Sequence, residues 1–132
     1  MPWSEPKQNW STDGVRHRYQ TKKGFVILAP LRFHRQLRKE VKDLAPHDAP
    51  IWFVQNLFVQ ERDRRKGNGM KLLKQAVKKL PALVGECHLA LFRDHVRQPR
   101  RTDPAARGCW EKFLEQEGLE VENGFLRLGG DS

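Results

Sequence analysis

Apolar and polar positions change period several times along the chain, and each period predicts an element. Val15 to Gln20, the polar turn Thr21-Lys22-Lys23-Gly24 and then Phe25 to Ala29 predict a hairpin whose second strand is the better buried. Pro30 interrupts it. From Leu31 to Leu44, Phe33, Leu37, Val41 and Leu44 share one helical stripe, while Arg32, Arg35, Arg38, Lys39 and Lys42 fall mostly elsewhere. Ile51 to Val59 is almost continuously apolar, which suits a central strand covered on both faces. Beyond a polar turn, Leu72, Leu73, Ala76, Val77 and Leu80 mark an amphipathic helix opening at Gly69, with Lys71, Lys74, Lys78 and Lys79 outside the stripe. Pro81 is expected to end it.

Cys87 to Phe92 predicts a further short buried strand, and Arg93 to Asp103 a basic loop. A third helix is expected from Pro104, with Asp103 as its cap, to Glu117, stopping at Gly118. Leu119 to Leu128 then folds about Asn123-Gly124, a preferred hairpin turn. Pairing across that turn sets Val121 opposite Leu126 and Leu119 opposite Leu128 on one face, with Glu120 meeting Arg127 on the other. The order of elements predicts an α/β domain, a mixed central sheet with flanking helices. Residues 1–14 read as a tail pinned by Trp3 and Trp10, residues 15–128 as one domain and residues 129–132 as a short tail.

Composition narrows the class. At 132 residues and 38% hydrophobic, the chain suits one folded domain rather than two or a disordered polymer. Its 25 basic against 16 acidic residues give +9, which favours nucleic acids, phosphorylated cofactors or acidic proteins as partners. Cys87 and Cys109 are too few for a disulfide framework, so a cytoplasmic location is expected. Apolar runs such as Ile51 to Val54 are far below a membrane span, and no membrane partner is expected.

The segment richest in chemistry runs from Val59 to Leu73, through Gln60-Glu61-Arg62-Asp63-Arg64-Arg65-Lys66-Gly67-Asn68-Gly69-Met70. A buried strand leads into a basic turn, and two glycines open a helix. Without Cβ atoms, Gly67 and Gly69 let backbone N–H groups approach a ligand closely. Those donors point where the helix dipole is positive, which suits a phosphate or pyrophosphate. Arg62, Arg64, Arg65 and Lys66 raise the local potential. The nucleotide-hydrolase loop would need lysine and a hydroxyl residue after the second glycine, and the dinucleotide fingerprint a third glycine near Leu72. Neither is present.

The segment resembles the acetyl-coenzyme A loop of the GNAT superfamily of N-acetyltransferases, whose signature is Arg/Gln-x-x-Gly-x-Gly/Ala between a central strand and a helix. Arg64-Arg65-Lys66-Gly67-Asn68-Gly69 fills all six places, with Val59 before the loop and Leu72-Leu73 after it. Phe113-Leu114-Glu115-Gln116-Glu117-Gly118-Leu119-Glu120 is similar to the family's closing segment. The resemblance implies a GNAT-like fold with a shortened N-terminal half, since one helix and one hairpin precede Ile51 where the family has two helices and a further hairpin. It implies acetyl-coenzyme A as acyl donor and direct attack by an amine on the thioester. Arg64, Arg65, Lys66, Gly67, Asn68, Gly69 and Met70 would hold the pyrophosphate. Backbone groups of Leu57, Phe58 and Val59 would pair with the pantetheine arm in a wedge between Ile51–Val59 and Cys87–Phe92.

The family's proton-donating tyrosine has no counterpart. The one tyrosine, Tyr19, lies elsewhere, and the matching position is Leu114 in one register or Trp110 in another. Candidate bases are His88, His95 and Asp94. Cys87 and His88 are adjacent on a strand, so only one faces the cleft. Cys87, His88, His95 and Cys109 lack a chelating spacing, and no metal is expected. Arg97, Arg100 and Arg101 flank the expected wedge and suit a nucleic-acid or acidic protein acceptor. The alternative is a non-catalytic protein on the same fold, either a basic nucleic-acid binder or a coenzyme A-binding regulator.

Overall fold

The computed structural model describes residues 3–35, 38, 39, 43, 49–64, 66–90, 112–117 and 125–129. Their framework is a six-stranded mixed sheet in the order β1-β2-β3-β4-β5-β6, which makes the chain α/β. The strands are β1 (Trp10–Thr12), β2 (His17–Thr21), β3 (Gly24–Pro30), β4 (Ile51–Val59), β5 (Cys87–Ala90) and β6 (Phe125–Leu128). All neighbours are antiparallel except β4 and β5, which run parallel. The helix α1 (Asn68–Val84) is the crossover between that parallel pair. Among the described residues no helix is long and apolar enough to cross a membrane.

The expected hairpin forms with Lys22 and Lys23 at its tip, and β3 is its better-buried strand. Gly24 is required there. A Cβ at that position would stand 2.1 Å from the Phe58 carbonyl oxygen of β4, closer than atoms can pack. Residues 10–12, expected in a tail, instead form β1 on the sheet edge. Their anchor is apolar as well as hydrogen-bonded, since the Trp10 ring lies 5.2 Å from that of Tyr19 in β2. Leu31–Phe33 is a tight 3-10 turn followed by helical backbone at Arg35, Arg38 and Lys39. The rest of the helix expected over 31–44 lies outside the described residues.

One face of the sheet is sealed by α1. Leu72, Leu73, Ala76 and Leu80, the stripe seen in the sequence, pack on Val26, Leu28, Trp52, Val54, Cys87, Leu89, Leu126 and Leu128. Phe113, in the helical residues 112–117, completes this core. The opposite face holds a smaller cluster of Ala29, Leu31, Phe53, Ala90 and Phe125. Pro81 does not end α1, which continues to Val84 and stops at Gly85 with φ of 84°. A proline removes one helix hydrogen bond, but burying Leu80 completely and packing Val84 on the core outweigh that loss. Gly85 N–H then closes the last turn on the Pro81 carbonyl at 2.8 Å.

Leu126 and Leu128 share the α1 face, as the alternation predicts, while Arg127 points away and donates through Nε to Glu86 at 2.9 Å. The remainder of the expected C-terminal hairpin, with Glu120 and Val121, lies outside the described residues.

Candidate functional site

The site is built around the end of β4 that leads into α1. Parallel pairing with β5 joins Ile51 to His88, Trp52 to Leu89 and Phe53 to Ala90. Among the described residues, the ladder on that side goes no further. Immediately beyond, β4 bulges: Leu28 faces Val54 and Ile27 faces Asn56, so Gln55 is an extra residue. A bulge bends its strand and adds twist. It also shifts the alternation, so that Trp52 and Val54 before it and Leu57 and Val59 after it all lie on the α1 face. The sequence signal was the polar pair Gln55-Asn56 inside an otherwise apolar run.

Past Val59 the chain is pinned at two points. Gln60 N–H donates to the Lys23 carbonyl at 2.7 Å, and Arg64 Nε donates to the Val59 carbonyl at 2.9 Å. The Arg64 guanidinium also lies 5.8 Å from the centroid of the Phe58 ring. Arg64 therefore braces the strand end as well as supplying charge, a role that composition alone did not suggest. Glu61–Asp63 forms a 3-10 turn whose Asp63 carbonyl accepts a 2.7 Å bond from the buried Asn68 side chain. Asn68 is thus a structural tie within the loop, and what remains for a ligand at that residue is its backbone N–H.

Gly67 caps α1 with φ of 80°, a left-handed conformation that glycine adopts without strain. A Cβ placed there would meet nothing within 4 Å, so the space above it is open. The first hydrogen bond of α1 runs from Lys71 N–H to the Gly67 carbonyl at 3.1 Å. The N–H groups of Asn68, Gly69 and Met70 precede it and have no acceptor within the helix. They face the positive end of the dipole beside exposed Arg64 and Lys66. Arg65 lies outside the described residues. The arrangement suits an anion at the loop and an extended, hydrogen-bonding chain along the edge of β4 that, among the described residues, is unpaired from Leu57 to Val59.

The candidate bases are differently placed. His88 pairs with Ile51 at the closed end of the parallel ladder, buried, with its ring edge-on to Phe125 at 6.5 Å and its N–H donating to the Pro50 carbonyl at 2.8 Å. Cys87 points the other way, into the α1 core. Burial, reinforced by the Glu86 charge, pushes its thiol up to about 11, which leaves it inert. Asp94, His95, Arg97, Arg100 and Arg101 lie outside the described residues. So does Trp110, whereas Leu114 packs against the α1 core. Tyr19 sits in β2, two strands from β4, against Trp10.

Two ring contacts lie nearby, of which the sequence pointed only to the pinning of Trp3. Phe25 and Phe58 stack across β3 and β4 with centroids 5.5 Å apart, on the face opposite α1. Trp3 lies under the guanidinium groups of Arg16 and Arg18, at 5.0 and 4.5 Å. Paired-strand register, which the sequence does not state, creates the stack, and the Trp3 contact fixes the N-terminal segment. No family model matches the chain, and no curated protein matches it either.

Proposed function

We propose that the chain is an acyl-coenzyme A-dependent N-acyltransferase with a GNAT-like fold and a shortened N-terminal half. One observation carries the reading: a parallel strand pair, described as far as Phe53, beside a bulge on a strand that leads straight into a glycine-capped helix N-terminus. That sequence of features provides an edge for an amide-bearing arm and, a few residues on, amides for a pyrophosphate. Leu57 to Val59 would supply the edge. Gly67, Asn68, Gly69 and Met70 would supply the amides, with Arg64, Arg65 and Lys66 contributing charge. A bound acyl-coenzyme A supplies a thioester carbonyl for direct attack by an acceptor amine, and the protein contributes proximity and orientation. A nucleic-acid or acidic protein acceptor and a cytoplasmic location belong to the same proposal.

Calorimetric titration with acetyl-coenzyme A tests the reading. Binding is expected in the unaltered chain and lost when Gly67 and Gly69 are both replaced by valine, provided circular dichroism shows the fold retained. Unchanged affinity in that variant would remove the loop assignment.

A second reading, occupancy by coenzyme A without turnover, is favoured by the placing of the only tyrosine, Tyr19, in β2 against Trp10. Thiol release from acetyl-coenzyme A in the presence of polyamine, peptide or RNA acceptors separates the two readings.

A further inference from the structure

The face of the sheet opposite α1 is closed at one end and open at the other. At the closed end, Ala29, Leu31, Phe53, Ala90 and Phe125 form their buried cluster. At the open end, the partner strands bring two rows of side chains side by side. Ser11, which is buried, Arg18, Ile27 and Asn56 make one row across β1 to β4, and Gln20, Phe25 and Phe58 make the next across β2 to β4. Their orientation follows from their neighbours. Tyr19, Val26 and Leu57 pack into the α1 core, so the residues flanking them on each strand point to the other side.

We propose that this open half-face is a stacking platform for single-stranded nucleic acid, with bases laid on Phe25 and Phe58 and phosphates drawn to the surrounding arginines. Four observations support it. Phe58 is 36% exposed although it is a large apolar ring in the middle of a sheet, and its neighbour Phe25 is only partly buried. The two rings stack on one another, 29° from parallel with centroids 5.5 Å apart, and form a fixed aromatic pair at this end of the face. None of the seven residues in the two rows is acidic. Arg18 in the first row and Arg64 over Phe58 put cations at the margins, and Lys22 and Lys23 stand exposed at the hairpin tip.

The Arg18 end already accepts a flat aromatic. Trp3 lies against both Arg16 and Arg18, and Arg18 Nε is buried there without a hydrogen-bond partner. Arg16 is fixed for that contact by Asp13, whose carboxylate accepts from the Arg16 backbone N–H at 2.7 Å and from its Nε at 2.7 Å. Stacking on sheet aromatics is sequence-tolerant because every base has a π-face, and phosphate neutralisation adds a salt-dependent attraction. The net charge of +9 supplies the long-range field of the right sign. Nothing in this argument depends on acyl-coenzyme A binding.

Fluorescence anisotropy with a labelled single-stranded oligonucleotide of about ten nucleotides, in RNA and DNA forms, tests the platform. Saturable binding is expected at low salt, weakening steeply as salt rises. Phe25→Leu keeps the apolar bulk and removes the ring, and should lower affinity about tenfold, as should Phe58→Leu. Lys78→Gln removes one exposed charge from the helix on the other side of the sheet and should change affinity less than twofold. A preference for RNA would point to contacts with the 2′-hydroxyl, and equal binding of both forms to bases and phosphates alone. Either result supports the proposal. Absence of binding at low salt would overturn it, as would affinity unaffected by both phenylalanine changes or lowered as much by Lys78→Gln. Titration of the Phe25→Leu variant with acetyl-coenzyme A keeps failure of the platform distinct from failure of the acyltransferase reading.

Discussion

From Ile51 to Val54, β4 lies between β3 and β5, and three of its four residues are buried. From Gln55 to Val59 it pairs with β3 alone among the described residues, and Phe58 is 36% exposed. The first half is apolar at all four positions and the second at three of five, and their surroundings differ more than that. The first half is covered by side chains on both faces and by a strand on each side, so its backbone has no capacity left for a ligand. Among the described residues the second half has a strand on one side only, and Asn56 and Phe58 are exposed on the face opposite α1. Between them lies the single extra residue Gln55, whose bulge bends the strand and resets its register with β3. The bulge, rather than a change in side-chain type alone, is what gives the two halves different surroundings.

The comparison breaks most directly with matched truncations. Phe53, 2% exposed, should cost about 3–5 kcal/mol when replaced by alanine, because a ring-sized cavity opens in the smaller core. Phe58→Ala, in the open half, should cost under about 1 kcal/mol, because much of its ring is already in water. Urea unfolding of both variants checks this. Equal losses would mean that the open half is core after all.

A smaller effect is expected where β4 hands over to α1. At Gly67, alanine meets no steric obstacle but must adopt a left-handed conformation, which costs about 1–2 kcal/mol. Gly67→Asn should cost less, since asparagine visits that region more readily. If thermal denaturation ranks the variants Gly, Asn, Ala from most to least stable, the loop's conformation is set by φ. If both variants lose anion binding equally, its function is set by the space a Cβ would fill.

The sequence made much of this legible. Alternation in β3, the continuous apolar run of β4 and the stripe of α1 each follow from one residue's immediate periodicity, and all three elements form. Local signals were misleading where tertiary packing decides. Pro81 carries a helix-ending signal, yet Leu80 and Val84 are held by the core and the helix continues through it. Trp10 to Thr12 has too short an alternation to predict a strand, and β1 exists because β2 offers it an edge and Tyr19 a ring. Within the site, the glycine loop was readable because its chemistry is local. The Phe25–Phe58 stack was not, since it depends on which residue of β4 faces which residue of β3, and the bulge at Gln55 resets that register.

The smallest expected effect concerns the closed half and pH. His17 in β2 packs its ring 5.6 Å from that of Trp52 in β4. Burial lowers its pKa below the ordinary histidine value, and the nearby Asp13 charge only partly opposes this. The unfolded chain therefore takes up a proton at His17 more readily than the folded one. Stability from this group is present above about pH 6.5, the ordinary histidine value, and is lost as pH falls through it towards the lower folded value. Asp13 does not blur that window. Its hydrogen bond from the Arg16 backbone N–H, with the Arg16 side chain and Val15 N–H, holds its carboxyl well below the usual carboxylate range. Urea midpoints measured at pH 7.5 and near pH 5.5 should fall modestly in the unaltered chain, and less in His17→Gln. An equal fall in both would place the acid sensitivity elsewhere, and Trp52 in the closed half of β4 would then be unaffected by the charge state of its neighbour.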